Sequence, residues 1–169
     1  MSTSVNVFLT GLLLLVISLT AVAAAKRPVG KWNFFHFDGS SFVSGPSADG
    51  GTQVAVLAGF RPVLLKKGEK PAAVDLAAGT GALAGICFIQ RSGGKLKRGP
   101  AYLPCAAMPV QISTGGKVVA TVMTDDQGYF QVTVTAGRYR IEAKEAVEVT
   151  VENGATALIP LRAGKRMAD

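Results

Sequence analysis

Strict alternation of apolar and polar positions runs through the C-terminal half of this chain. Over residues 129–135, Phe130, Val132 and Val134 share one parity, and Gln131 and Thr133 the other. Over residues 138–143, Tyr139, Ile141 and Ala143 alternate with Arg138, Arg140 and Glu142. A period of two is the mark of a half-buried strand, because successive side chains leave opposite faces. Thr124-Asp125-Asp126-Gln127-Gly128 reads as an acidic turn before the first of these strands, with Gly137 in the tight turn after it. The pattern therefore predicts a hairpin of residues 129–135 and 138–143.

The same reading places further strands at residues 82–90, 109–113, 117–124, 146–151 and 155–161. Val147, Val149 and Val151 are expected to point inward. Glu152-Asn153-Gly154 is a tight-turn signal, and Pro160 suits an edge strand. Seven short strands at this spacing predict an antiparallel two-sheet sandwich over residues 81–162. Ahead of it, residues 26–67 hold three or four strand candidates. They are an aromatic one with Trp32, Phe34, Phe35 and Phe37, then Phe42-Val43, residues 52–57 and residues 63–65. So few residues cannot close a core alone, and this segment is expected to lean on the sandwich. Residues 68–80 read as a linker and residues 163–169 as a basic tail. No helical period follows residue 25, so the class is all-β.

Before residue 26 the pattern changes. Residues 5–25 carry no charge and end in Ala21-Val22-Ala23-Ala24-Ala25. An apolar helix closing on small residues predicts a signal peptide cut after Ala23 or Ala25. The run is also long enough to be a membrane anchor. No Lys or Arg precedes it, which departs from both patterns. Either way the protein is expected outside the cytoplasm, in a periplasm or at a cell surface. An oxidising compartment makes Cys87 and Cys105 a disulfide pair. The bond would close a loop of about 19 residues, worth roughly 3 kcal/mol.

Net charge is +7, all of it from Lys26 onward. Arg91, Lys95, Lys97 and Arg98 form a basic loop, a candidate contact for an anionic polysaccharide, a lipid surface or an envelope protein. Trp32 and Phe34 are the second candidate contact. Nucleic acid is a poor partner for this chain, since the basic residues are not interleaved with stacking rings.

Ordered positions in the second segment resemble the carboxypeptidase regulatory-like domain, a transthyretin-like (prealbumin-like) sandwich. They are Leu83-Ala84-Gly85-Ile86, Pro109-Val110-Gln111-Ile112, Thr124-Asp125 with Gly128 and Phe130, and Gly137-Arg138-Tyr139-Arg140-Ile141. The likeness spans about residues 81–161. It implies a non-catalytic folding, spacer or binding module, with Gly128 and Gly137 at turns of positive φ and Tyr139 bonded to backbone through its hydroxyl. The long basic stretch 92–108 and the cysteine pair depart from the family pattern.

Catalytic chemistry finds little footing. His36 is the sole histidine, and no His-Glu-x-x-His or Gly-x-Ser-x-Gly motif is present. Gly79-Thr80-Gly81 lacks the strand–turn–helix context of a phosphate loop. Asp125 and Asp126 offer too few oxygens for Ca²⁺ and fit a turn. The expectation is a non-enzymatic exported interaction or structural module without cofactor or metal. The alternative is a carbohydrate-binding module using the rings of the first segment.

Overall fold

The computed structural model describes residues 30–47, 50–92 and 102–167. Twelve strands are found among them and no helix. The strands are β1 (Asn33–Phe37), β2 (Phe42–Ser44), β3 (Gln53–Val56), β4 (Val63–Leu65), β5 (Thr80–Ser92), β6 (Tyr102–Pro104), β7 (Pro109–Thr114), β8 (Lys117–Met123), β9 (Tyr129–Thr135), β10 (Gly137–Glu142), β11 (Ala146–Val151) and β12 (Thr156–Met167).

They form three stacked layers. The outer sheet of the sandwich has the order β11-β10-β7-β8. The middle sheet is built on β5, with β12 on one edge and β9 and β6 sharing the other. Leu83 and Cys87 of β5 meet Val110, Ile112, Phe130, Tyr139, Ile141, Ile159 and Leu161 in the main core between these two sheets. The first segment supplies the third layer, β2-β1-β3-β4. It covers the other face of β5, where Ala84, Ile86 and Phe88 pack with Phe37, Val54 and Tyr129. β5 is thus buried on both sides, which explains its run of apolar residues in place of alternation.

Several expectations are corrected here. The alternating strands β9 and β10 do not pair. β9 pairs with β5, and β10 pairs with β7 and β11. Their connection is an arch between sheets, held by the Tyr139 hydroxyl, which donates to the Thr135 carbonyl at 2.8 Å. Gly137 does not adopt a positive φ, whereas Gly128 does, at 80°. The Glu152-Asn153-Gly154 turn also crosses the sandwich, carrying the chain from β11 in one sheet to β12 in the other. The Gly154 N–H donates to the Thr80 carbonyl and fastens this crossing to the start of β5. β12 then runs parallel to β5 from Thr156↔Ala82 to Met167↔Ser92, so the sandwich is not antiparallel throughout. It includes β6 as an eighth strand, and β12 takes in much of the expected tail. Val147 is 36% exposed, not inward.

Asp125 does what a turn carboxylate should. It accepts from the Gln127 and Tyr129 N–H groups at 2.9 and 2.8 Å. Next to it, buried Thr124 joins the turn to the chain after β6. Its hydroxyl donates to the Cys105 carbonyl and accepts from the Met108 N–H at 2.8 Å. Thr124→Val keeps the shape but strands two backbone groups, and should cost about 2 kcal/mol. Thr124→Ser should recover most of that. Urea midpoints of the two variants check this, and equal losses in both would refute the bonding role.

Candidate interaction surface

The aromatic residues of β1 divide between two environments. Phe37 is buried, with ring centroids 4.6 Å from Phe88, 4.9 Å from Tyr102 and 5.9 Å from Phe42. Tyr129 extends this cluster and donates from its hydroxyl to the Thr52 carbonyl at 3.2 Å. Burial pushes the Tyr129 phenol well above its ordinary pKa and raises Tyr102 as well. These rings join the small sheet to the sandwich.

Trp32 and Phe34 are half-buried instead. Strand parity puts Phe34 and His36 on the opposite face of β1 from Phe37, with Ala55 and Val63 across the sheet. His36 is spent on structure, its Nδ1–H donating to the Gly45 carbonyl at 3.0 Å. Asp38 closes the neighbouring turn by accepting from the Ser40 and Ser41 N–H groups. The Ser41 bond, then the Ser40 bonds, hold its carboxyl below the usual range.

Of the basic loop, Arg91 lies half-buried near the end of β5, while Lys95, Lys97 and Arg98 fall outside the described residues. Among the described residues, Arg91 and Trp32 do not share a site. Phe37 packs on Phe88, three residues before Arg91, whereas Trp32 lies just before the other end of β1, about 16 Å along the strand direction.

The parallel register adds what the linear chain hides. It sets Arg166 opposite Arg91 and Lys165 opposite Gln90. Arg162 lies beside them, its Nε 3.2 Å from Glu145 and its guanidinium 3.5 Å from the Gln90 amide oxygen. The end of the middle sheet therefore gathers basic residues from segments about 70 positions apart. The tail was visible as basic, but nothing local tied it to Arg91.

Cys87 and Cys105 come together in the main core. The Cys105 N–H donates to the Cys87 carbonyl at 2.9 Å, and both side chains are buried thiols. Burial, then the hydrogen bond and charge of Cys105, push the Cys87 thiol up to about 12.

An open groove of about 420 Å³ lies on the outer sheet between Gly115-Gly116 and the β10–β11 pair. Arg138, Arg140 and Glu148 line it, and Arg140 is paired with Glu142 at 3.2 Å. This mixed charge favours no single ligand. Among the described residues no group of three His, Cys, Asp or Glu side chains is placed to hold a metal ion. No helix among them is long and apolar enough to cross a membrane.

No protein-family model matches the chain, and no curated protein does. Solved structures that are similar in part include two of low identity. One is GBS52, the minor pilin of Streptococcus agalactiae, at 15% identity and TM-score 0.39, covering 76% of this chain and 66% of that one. The other is a DUF3823 family protein from Parabacteroides merdae, at 17% identity and TM-score 0.36, covering 51% of this chain and 46% of that one. This chain spans less than two thirds of either structure, and at these scores the likeness bears on neither function nor partners.

Proposed function

We propose that this protein is a non-catalytic, exported interaction module that binds an anionic polymer or surface of the cell envelope. Its contact is the basic end of the middle sheet. The observation that carries this reading is the β5–β12 register, which sets Arg166 beside Arg91 at the mouth of the loop bearing Lys95, Lys97 and Arg98. Basic positions set side by side by this register would raise the local concentration of an anionic partner. In support, His36 is bonded to Gly45, and Asp38 and Asp125 to their own turns. The apolar segment 5–25 supports export. The ordered positions of residues 81–161 support a carboxypeptidase regulatory-like sandwich as the scaffold. A disulfide between Cys87 and Cys105 belongs to the same reading.

Binding to immobilised polygalacturonate should be strong at low salt and should weaken as salt shortens the screening length. The double charge reversal Arg91→Glu with Arg166→Glu should weaken it about tenfold, ~1.4 kcal/mol, without moving the thermal midpoint. Salt-independent binding, or full binding by the double variant, would overturn this reading. The half-exposed Trp32 and Phe34 favour a second reading, a sugar-stacking platform. In that case polysaccharide should shift Trp32 emission, and Trp32→Ala should abolish binding that charge reversal leaves intact.

A further inference from the structure

The outer sheet leaves two edges open, β8 and β11; β8 is the longer, and β11 carries Glu148 in its interior. Among the described residues β8 pairs with β7 alone. Three of the five large exposed apolar side chains lie on β8: Val118 at 49%, Val119 at 48% and Met123 at 57%. A bulge contributes to this. Ser113 is opposite Val118 and Ile112 opposite Ala120, which leaves Val119 as the extra residue. Other sheet ends are better defended. β2 and β4 have three residues each. β12 carries Pro160 and three basic residues, Arg162, Lys165 and Arg166. Edges with unpaired N–H and C=O groups take up another strand unless charge, proline or shortness prevents it. β8 has one charge, Lys117, at its first position.

We infer that β8 pairs with β8 of a second copy of this chain, antiparallel, about a two-fold axis at Thr121. The choice of occupant comes from the strand's self-complementarity. A two-fold axis normal to the sheet passes between a residue and its own copy, so opposed positions sum to an even number. With Thr121 on the axis, Ala120 faces Val122. Both already pack against the main core, so the two cores join edge to edge. Val119 faces Met123, which covers two of the most exposed apolar side chains with each other. Lys117 comes against the acidic turn Asp125-Asp126 of the other copy, just past the end of its β8, a match of opposite charge. An axis at Ala120 would put Lys117 opposite Met123 and lose that charge match. The outer sheet then continues across two copies as eight strands, leaving the basic end of each middle sheet outside the contact.

Sedimentation equilibrium of the purified chain over a hundredfold concentration range tests this inference. The expected result is a monomer–dimer equilibrium. The double variant Val119→Lys with Met123→Lys, at two exposed positions, should shift the dissociation constant at least tenfold toward monomer with an unchanged thermal midpoint. Thr121→Cys should form a covalent dimer under mild oxidation, since opposed Cα atoms in an antiparallel pair lie about 4.5–5.5 Å apart. The wild-type chain should form none. A monomer at every concentration would overturn the inference. So would a dimer that survives the two lysines and whose Thr121→Cys form does not cross-link.

Discussion

Gly85→Val is expected to be among the most damaging single substitutions in the sandwich, costing about 3 kcal/mol, the upper end of ordinary overpacking. Gly85 lies on β5 between β9 and β12, opposite Phe130 and Ile159. A Cβ there would come 2.5 Å from the Ile159 carbonyl oxygen and 2.5 Å from the Phe130 ring. The first of these is backbone in a paired strand and cannot rotate away. The second is a ring with 2% exposure in the main core. Gly85→Ala should already destabilise, and Phe130→Leu in that background should recover part of the loss by vacating the ring's edge. Full recovery is not expected, because the carbonyl stays. Guanidinium unfolding of the single and double variants gives the coupling directly. An additive pair would show that the ring and the new methyl do not meet. With a domain stability of roughly 5–15 kcal/mol, the valine variant is expected to accumulate poorly.

Oxidation of the cysteine pair is the second large effect. Two thiols losing two protons and two electrons to an external disulfide, such as oxidised glutathione, should lower the mass of the chain by about two daltons and raise its stability by roughly 3 kcal/mol. The thiols are already neighbours, and Cys105 is tied to Cys87 through its backbone. The bond would clamp β6 and the basic loop to β5. Cys87→Ala and Cys105→Ala should each abolish the redox dependence. A reduced and an oxidised protein with equal midpoints would refute the clamp.

The reduced form has a pH signature of its own. The folded Cys87 thiol holds its proton up to about 12, against an ordinary value of 9.0. Between those values the folded state binds more proton than the unfolded chain, so stability falls as pH rises. Cys87→Ala should flatten that fall, and what remains belongs to the raised phenols of Tyr129 and Tyr102. Alkylation of the thiols at pH 8 should be slow for the same reason.

Strand positions were legible because alternation is local. The faces of β9 and β10 follow from Phe130, Val134, Tyr139 and Ile141, all buried as their parity predicts. Asp125 and Gly128 are readable for the same reason, as turn chemistry needs only a few neighbouring residues. Pairing partners were not legible. Parity states which side of a strand is apolar and leaves open whether the next strand lies beside it or across the core. Gly137 and Asn153-Gly154 turn the chain in either case, and here both turns cross between the sheets. The apolar run of β5 announced burial, but only the docking of Phe37 and Val54 shows what covers its second face.

By itself the chain determined an all-β class, the places of most strands, the turn residues and a basic character, since each depends on local period or plain composition. Tertiary structure alone decided that β12 runs parallel to β5, that Arg166 therefore stands beside Arg91, and that β8 is left as a free edge. The reason is physical. Each of these depends on which strands share an edge, and that is settled by burying both faces of one central strand, a constraint spread over more than a hundred residues.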